Sequence, residues 1–317
     1  MNPEQLPAIS VIEPISSALE KVKSTLFKPF EMGKWFTIGF CAWLTFLGRS
    51  GLNFHFNFPF GNLHHSGSPL GQVKNVFSKH FLLITVVGSI GLLIGLAVMI
   101  TLLWLSSRGR FMFLYCIAEN KAEVKTPWHK FRKRANSLLL FKLVSGFIAF
   151  ICLAICTAMI ILMIILLTRN DSHTNVVEIF AIVCLSLITV LIAIATALFF
   201  KFTNDFIIPI MYLRSCSCTK AWCQFLQILL SRKGTFALYL LFQIVITMVI
   251  AAILMALVFG TCCCAAFFLA IPYVGTVLML PLLVFKRAYS LYYLRQFGPS
   301  FDVFATTVTV PQADQPR

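Results

Sequence analysis

The chain has 317 residues, of which 59% are hydrophobic and 12% are charged, whereas about 25% of an average soluble chain is charged. It carries 26 Lys and Arg against 11 Asp and Glu, a net charge of +15. This hydrophobic content excludes an ordinary soluble protein and, with it, a nucleic-acid partner. The positive charge instead indicates contact with anionic lipid headgroups.

The N-terminal segment is polar, and its first 30 residues lack the apolar stretch of a cleaved signal peptide. Residues 15–30 have the pattern of an amphipathic helix. The first candidate membrane span follows, from about Trp35 to Leu47. This segment is short, because a crossing needs roughly 20 apolar residues. It is nevertheless predicted to span, since six spans make the sides of the membrane alternate correctly, and a re-entrant or interfacial segment is the alternative.

Five longer apolar segments complete a prediction of six transmembrane helices. They run from about Phe81 to Leu105, Leu138 to Thr168, Ile179 to Phe200, Thr235 to Phe259 and Ala265 to Phe285. The last two lie within 51 consecutive uncharged residues, from Thr235 to Phe285. That length suits two crossings of a hydrocarbon core about 30 Å thick, joined by a turn near Gly260.

The distribution of Lys and Arg predicts the orientation of these spans. The N-terminal segment holds four of them, and the segments after the second, fourth and sixth spans hold eight, five and four. The segments on the opposite side hold four in total, Arg49, Lys74, Lys79 and Arg169. The positive-inside rule therefore predicts that both termini are cytoplasmic.

A threefold internal repeat is predicted from tyrosines that follow the second, fourth and sixth spans. Seven residues before Tyr115, Tyr212 and Tyr293 stand the charged residues Arg108, Asp205 and Lys286. After each tyrosine comes an aromatic pair spaced by three, namely Trp128 with Phe131, Trp222 with Phe225, and Phe301 with Phe304. Such regular recurrence is typical of duplicated supersecondary units.

The predicted fold is therefore all-α and polytopic, with amphipathic helices on the cytoplasmic face. Residues 1–317 form a single integral membrane domain. Its repeat units are about 11–105, 111–204 and 206–287, followed by a closing amphipathic helix over 288–305 and a flexible tail over 306–317.

Two groups of residues are candidates for function. If the repeat holds, Arg108, Asp205 and Lys286 meet as a charge cluster at an inner mouth, and the alternative is that each ends its helix at the interface. The second group is a basic aromatic collar, which we expect to contact anionic lipid. It consists of Trp128, Lys130, Arg132, Lys133, Arg134 and Trp222.

Catalytic and metal-binding signatures are absent from the sequence. Three histidines, His55, His64 and His65, lie in a Phe-rich outer loop without supporting Cys or carboxylate residues. The run Cys262–Cys264 lies among Ala and Phe, which favours a packing role. No nucleophile-and-base motif or Walker loop is present. We therefore predict no enzyme activity, no cofactor and no metal.

Short motifs at the span ends carry a resemblance to known proteins. They are Lys28-Pro29-Phe30, Gly33-Lys34-Trp35, Ser107–Phe111, Pro209–Tyr212, Ile271–Val277 and Leu280-Pro281-Leu282. Over most of the chain they resemble an uncharacterised family of prokaryotic multi-pass membrane proteins, which implies a fold but no functional residues. The span-pair plan is also similar to the membrane domain fused to some glycerophosphodiester phosphodiesterases, whose catalytic domain this chain lacks.

The functional prediction is a non-enzymatic integral protein of the bacterial cytoplasmic membrane that contacts anionic lipid, partner membrane proteins or a second copy of itself through the collar. The alternative is a transporter or channel for a small molecule with its inner mouth at Arg108, Asp205 and Lys286.

Overall fold

The computed structural model describes residues 9–50, 69–169, 176–261 and 264–305, and these residues are helical without any strand. The helices are α1 (Glu13–Val22), α2 (Met32–Ser50), α3 (Pro69–Glu119), α4 (Lys125–Lys130), α5 (Arg132–Arg169), α6 (Val176–Phe202), α7 (Ile208–Arg214), α8 (Cys218–Ser231), α9 (Lys233–Gly260), α10 (Cys264–Ala270), α11 (Pro272–Leu278) and α12 (Leu280–Arg295). Lys23–Phe27 extends α1 as a π-helical turn, and the π-helical turn Thr203–Ile207 joins α6 to α7.

Four stretches of helix in the described residues are long and apolar enough to cross a membrane. They are Thr85–Glu119, Arg132–Thr168, Val176–Arg214 and Lys233–Gly260. The pair α11 and α12, bent by 64°, gives a fifth if the two helices form one broken span. The segment predicted as the first span lies in α2, which is 19 residues long and is not among these stretches.

The apolar parts of the long helices expose their side chains on nearly every face. Leu92 of α3, Phe150 of α5 and Phe259 of α9 are each about 70% exposed or more. A helix that is hydrophobic all round is typical of a membrane span, because lipid rather than protein covers it. The described helices therefore have the surface of a membrane protein.

Most of the buried residues lie at one end of the molecule, where Lys and Arg residues are dense. We call this buried region the basal core. Three segments form its centre: residues 106–118 of α3, residues 203–212, and residues 280–294 of α12. Large aromatic side chains fill it, among them Phe111, Phe206, Tyr239 and Tyr293, each fully buried. The short helices α1, α4 and α8 pack around this centre through their apolar faces.

Helix α2 lies antiparallel along the basal part of α3. Cys41 Sγ is 3.9 Å from Cys116 Sγ, and Ser106 Oγ donates a 2.8 Å hydrogen bond to the Thr45 carbonyl oxygen. Both cysteines are fully buried. Part of the predicted first span therefore packs against α3 and contributes buried residues to the basal core.

The two ends of the described chain meet on α12. The amide of Ser10 donates to Gln296 Oε1 at 2.8 Å, Gln296 Nε2 donates to the Ser10 carbonyl at 2.9 Å, and Tyr289 OH donates to the Val11 carbonyl at 3.0 Å. Residues 288–305, predicted as a closing amphipathic helix, are the end of α12 and a 3₁₀ turn, Pro299–Phe301. The predicted tail 306–317, the histidines at 55, 64 and 65, and Cys262 and Cys263 lie outside the described residues.

Candidate functional site

Arg108 lies between two tryptophan rings at the basal end of α3. Its guanidinium carbon is 4.2 Å from the Trp104 ring centroid and 4.5 Å from that of Trp128. The two rings meet edge to face at 5.8 Å. Cation–π contacts of this kind strengthen when the cation is desolvated, and Arg108 is buried. Arg108 therefore fixes α4 to α3.

Asp205 lies in the π-helical turn and has two partners. Lys201 Nζ is 3.1 Å from Asp205 Oδ2, and Tyr239 OH donates to the same oxygen at 3.1 Å. Gln243 Nε2 in turn donates to Tyr239 OH at 3.1 Å. The carboxylate thus begins a buried polar chain that leads onto α9.

Lys286 of α12 donates to Thr247 Oγ1 on α9 at 3.5 Å. None of the contacts named for Arg108, Asp205 and Lys286 joins two of these three residues. The charge cluster predicted from the sequence stays a prediction, because the contacts place its members among different neighbours.

Three other cations meet at Asn204, next to Asp205, and we call Asn204, Arg110, Lys142 and Arg287 the Asn204 cluster. Arg110 of α3 donates to Asn204 Oδ1, and Lys142 of α5 donates to the same oxygen at 3.0 Å. Arg287 Nη1 of α12 donates to the Asn204 carbonyl oxygen at 2.6 Å. Three helices are therefore joined through one neutral residue.

In the predicted collar, Lys130, Arg132 and Lys133 are exposed where α4 ends and α5 begins. Arg134, in contrast, is half-buried: it donates to the Tyr212 carbonyl at 3.4 Å and to Ser215 Oγ, with its guanidinium 5.1 Å from the Phe131 ring. Of the three exposed cations, Lys130 has its Nζ 5.8 Å from the centroid of the Phe131 ring, whereas Arg134 joins α5 to the end of α7.

The two tryptophans of the collar face the protein. Trp128 is half-buried against Trp104 and Arg108. Trp222 is buried and stacks on Phe199 with ring centroids 4.5 Å apart and an interplanar angle of 10°. Its indole nitrogen is buried as well. Trp222 therefore packs in the interior instead of presenting its ring to headgroups, since α8 turns this face toward α5 and α6.

Sequence reasoning missed Arg110, Asn204 and Arg287. Asn204 is neutral, so a search for charges near the membrane passes over it. A signal was present nonetheless, because Arg110 and Arg287 each lie within two positions of the charged residues that were selected. A search for every polar residue at the basal end of an apolar run would have found all three.

Within the described ranges, no group of three or more His, Cys, Asp or Glu residues is placed to hold a metal ion. The cysteines described there are free thiols.

A model of a family of unknown function, DUF7544, matches residues 9–282. No curated protein matches the chain, and no solved structure matches it. The resemblance to membrane domains of glycerophosphodiester phosphodiesterases thus finds no support in these comparisons. The matched region extends from residue 9, four positions before α1 begins, to the first turn of α12, and so includes the four long apolar helices. The chain belongs to the family of unknown function DUF7544.

Proposed function

We propose that this protein is a non-enzymatic integral membrane protein that binds anionic phospholipid headgroups at its basal face. One observation carries the proposal: Lys130, Arg132 and Lys133 are exposed beside one another at the base of α5. The same helix exposes apolar side chains such as Phe147 and Phe150 further along. A lipid that covers those side chains therefore has its headgroup near the three cations.

The contributions of the three cations to the binding free energy add to a first approximation. Each Lys or Arg near an anionic membrane surface contributes roughly 1 kcal/mol. Three exposed cations thus favour an anionic over a zwitterionic headgroup by up to about 3 kcal/mol, and salt weakens this preference because these charges are exposed to solvent. A partner membrane protein or a second copy with an acidic face could use the same cations.

Six crossings, a threefold repeat and cytoplasmic termini in a bacterial cytoplasmic membrane belong to this proposal. The element order supports the repeat. In each unit a short basal helix (α1, α4 or α8) precedes an outgoing helix (α2, α5 or α9), and a returning segment ends in the basal core. The strong excess of Lys and Arg at that end supports a cytoplasmic basal face.

The test compares lipid enrichment by two versions of the full chain reconstituted in mixed phosphatidylglycerol and phosphatidylcholine. The variant Lys130→Gln/Arg132→Gln/Lys133→Gln removes the charges, and Lys130→Arg/Arg132→Lys/Lys133→Arg retains them. We expect the phosphatidylglycerol that co-purifies to fall several-fold in the first variant and to stay near wild type in the second. Equal enrichment in both variants would contradict the proposal.

A polar stripe on α9 supports a second candidate, a transporter for a small polar solute. Tyr239, Gln243 and Thr247 follow one another at four-residue spacing, and the stripe is bounded by Asp205 and Lys286. Eight residues of helix cover about 12 Å of a ~30 Å hydrocarbon core. If the stripe is part of a path, Gln243→Leu should abolish solute flux in proteoliposomes while leaving phosphatidylglycerol enrichment intact.

A further inference from the structure

In the Asn204 cluster, two cations share one neutral oxygen as their hydrogen-bond acceptor. Arg110 and Lys142 both donate to Asn204 Oδ1, and Arg287 donates to the backbone oxygen of the same residue. Charged donors make their strongest hydrogen bonds to anionic oxygens. An amide oxygen accepts a hydrogen bond from each of the two cations but carries no net charge of its own.

The carboxylate beside the cluster offsets only part of this charge. Asp205 is bound by Lys201 and by Tyr239 OH. Lys142 and Arg287 give their hydrogen bonds to Asn204 instead. With Arg110 and Lys201 included, four cations from α3, α5, α6 and α12 bond to one of the two neighbouring residues Asn204 and Asp205, of which only Asp205 carries a negative charge. A surplus of positive charge held near membrane depth marks a site for a negatively charged group.

Arg287 also has a buried nitrogen without a hydrogen-bond acceptor among the described residues. This atom is Nη2, while Nη1 of the same guanidinium bonds to Asn204. An unmet buried donor is costly, and an arginine fork suits the oxygens of a phosphate. Arg287 therefore has one more buried donor than the described residues supply acceptors for.

The cluster lies at the border between the apolar helices and the basal core. Lys142 immediately precedes the exposed apolar run of α5, and Lys201 ends that of α6. Both lysines, Arg110 and Asn204 are half-buried, so each keeps some exposed surface. The phosphate of a lipid whose chains lie along α5 and α6 would reach this depth.

We infer that the Asn204 cluster is a binding site for one phosphate group, whose oxygens replace Asn204 Oδ1 as acceptors for Arg110 and Lys142. This inference rests on the proposed function and names a particular site for it, apart from the exposed collar. The phosphate belongs either to a phospholipid headgroup or to free inorganic phosphate, which present the same oxygens to the cluster.

The experiment measures the melting temperature of the purified full chain in a neutral detergent with added probes. The probes are phosphatidylglycerol, phosphatidylcholine and inorganic phosphate. A ligand that binds the folded state raises the melting temperature in a concentration-dependent, saturable way. Native mass spectrometry of the same samples counts the lipid molecules bound per chain.

Lys142→Gln is the main variant, because Lys142 is half-buried and its loss leaves the other hydrogen bonds to Asn204 in place. Lys142→Arg is its matched, charge-retaining control. Arg287→Gln is a second variant that removes the surplus donor. The collar variant Lys130→Gln/Arg132→Gln/Lys133→Gln separates the two proposals, because it leaves the cluster unchanged.

We expect one saturable phosphatidylglycerol per wild-type chain, at least tenfold weaker binding in Lys142→Gln, and near wild-type binding in Lys142→Arg and in the collar variant. Saturation by inorganic phosphate with the same variant pattern would support the site and assign it to the free ion. Wild-type affinity for both anionic probes in Lys142→Gln and Arg287→Gln would overturn the inference, even if the collar variant lost lipid enrichment. No preference of the wild type for either anionic probe over phosphatidylcholine would overturn it too.

Discussion

At Gly109 the backbone of α3 comes so close to α2 that a side chain has no room. A Cβ built there would lie 2.5 Å from Leu44 Cβ and 2.8 Å from the Leu44 carbonyl carbon. The second of these is a backbone atom, so α2 itself would have to move. Small residues that bring helix backbones together are a common way to pack helices in membrane proteins.

Gly109→Ala should therefore loosen the contact between α2 and α3. Overpacking of this kind costs about 1–3 kcal/mol, so we expect a lower melting temperature in detergent and faster proteolysis within α2. The matched control is Gly91→Ala on the same helix, where a Cβ meets nothing within 4 Å and Gly91 is exposed. If both variants melt alike, the close approach at Leu44 does not govern stability.

Two cysteines on α8 differ in their exposure, which makes them reporters of how this helix docks. Cys218 is buried, Cys223 is exposed, and burial raises the pKa of the Cys218 thiol to about 12. At pH 8 a thiol with that pKa is ionised to only about one part in 10⁴. Since the thiolate is the reactive form, Cys218 should be nearly inert in the folded protein.

A maleimide added to the folded protein at pH 8 should accordingly modify Cys223 and leave Cys218 free, as read by peptide mapping. In denaturant both should react, because burial and its effect on the Cys218 pKa are lost. Raising the pH from 7 to 9 should leave Cys218 unmodified as long as the protein stays folded. Rapid labelling of Cys218 under these conditions would mean that α8 does not dock as described.

Among the elements, α4 attaches to α3 through one cation and two aromatic rings. Arg108 contributes the charge, and Trp104 and Trp128 contribute two rings that contact both the cation and each other. This contact holds in place the exposed basic residues at the α4–α5 junction. The collar is therefore positioned by a buried arginine that does not itself meet lipid.

Arg108→Gln should lower the free energy of unfolding by about 2 kcal/mol, the magnitude of a desolvated cation–π contact. A double-mutant cycle with Trp128→Leu should show coupling, since the second substitution removes a ring that has already lost its cation. The control is Arg132→Gln, which removes an exposed charge from the same surface. Additive effects of Arg108→Gln and Trp128→Leu would exclude the pairing.

The π-helical turn changes the direction in which a residue seven positions before a tyrosine faces. In a π-helical turn each hydrogen bond closes over one more residue than in an α-helix. The turn Thr203–Ile207 overlaps the interval between Asp205 and Tyr212. Equal spacing in sequence therefore does not give equal facing, and three cations from other helices contact Asn204, the residue before Asp205.

At the scale of the whole molecule, the features that depend on composition alone could be predicted from the sequence. Long uncharged runs predicted the helical class and four long apolar helices, whereas the first predicted span is not among the described helices that could cross and the sixth contains the bend between α11 and α12. The side of each short helix that faces protein was not predictable, because apolar residues suit both lipid and a protein core. Trp222 illustrates this, since its amphipathic ring fits a headgroup layer equally well but is buried on Phe199.

The length of the stretch from α6 to α7 predicts how the chain is oriented across the membrane. The stretch Val176–Arg214 has 39 residues, about 58 Å of helix at 1.5 Å per residue, which exceeds a hydrocarbon core of about 30 Å. Its two ends therefore lie on opposite sides if it crosses. Val176 at one end is 80% exposed, and Cys223 lies on α8, just beyond the other end.

Single-cysteine proteins carrying either Val176→Cys or the native Cys223, with the other cysteines replaced by Ala, test this directly with a membrane-impermeant thiol reagent. We expect Val176→Cys to be labelled in intact cells and Cys223 only in inverted membrane vesicles, because the excess of Lys and Arg places the basal end in the cytoplasm. The opposite pattern would reverse the orientation. Labelling of both positions from one side would show that α6 and α7 do not cross, and the proposal of a lipid-binding basal face beneath a set of membrane spans would fail with it.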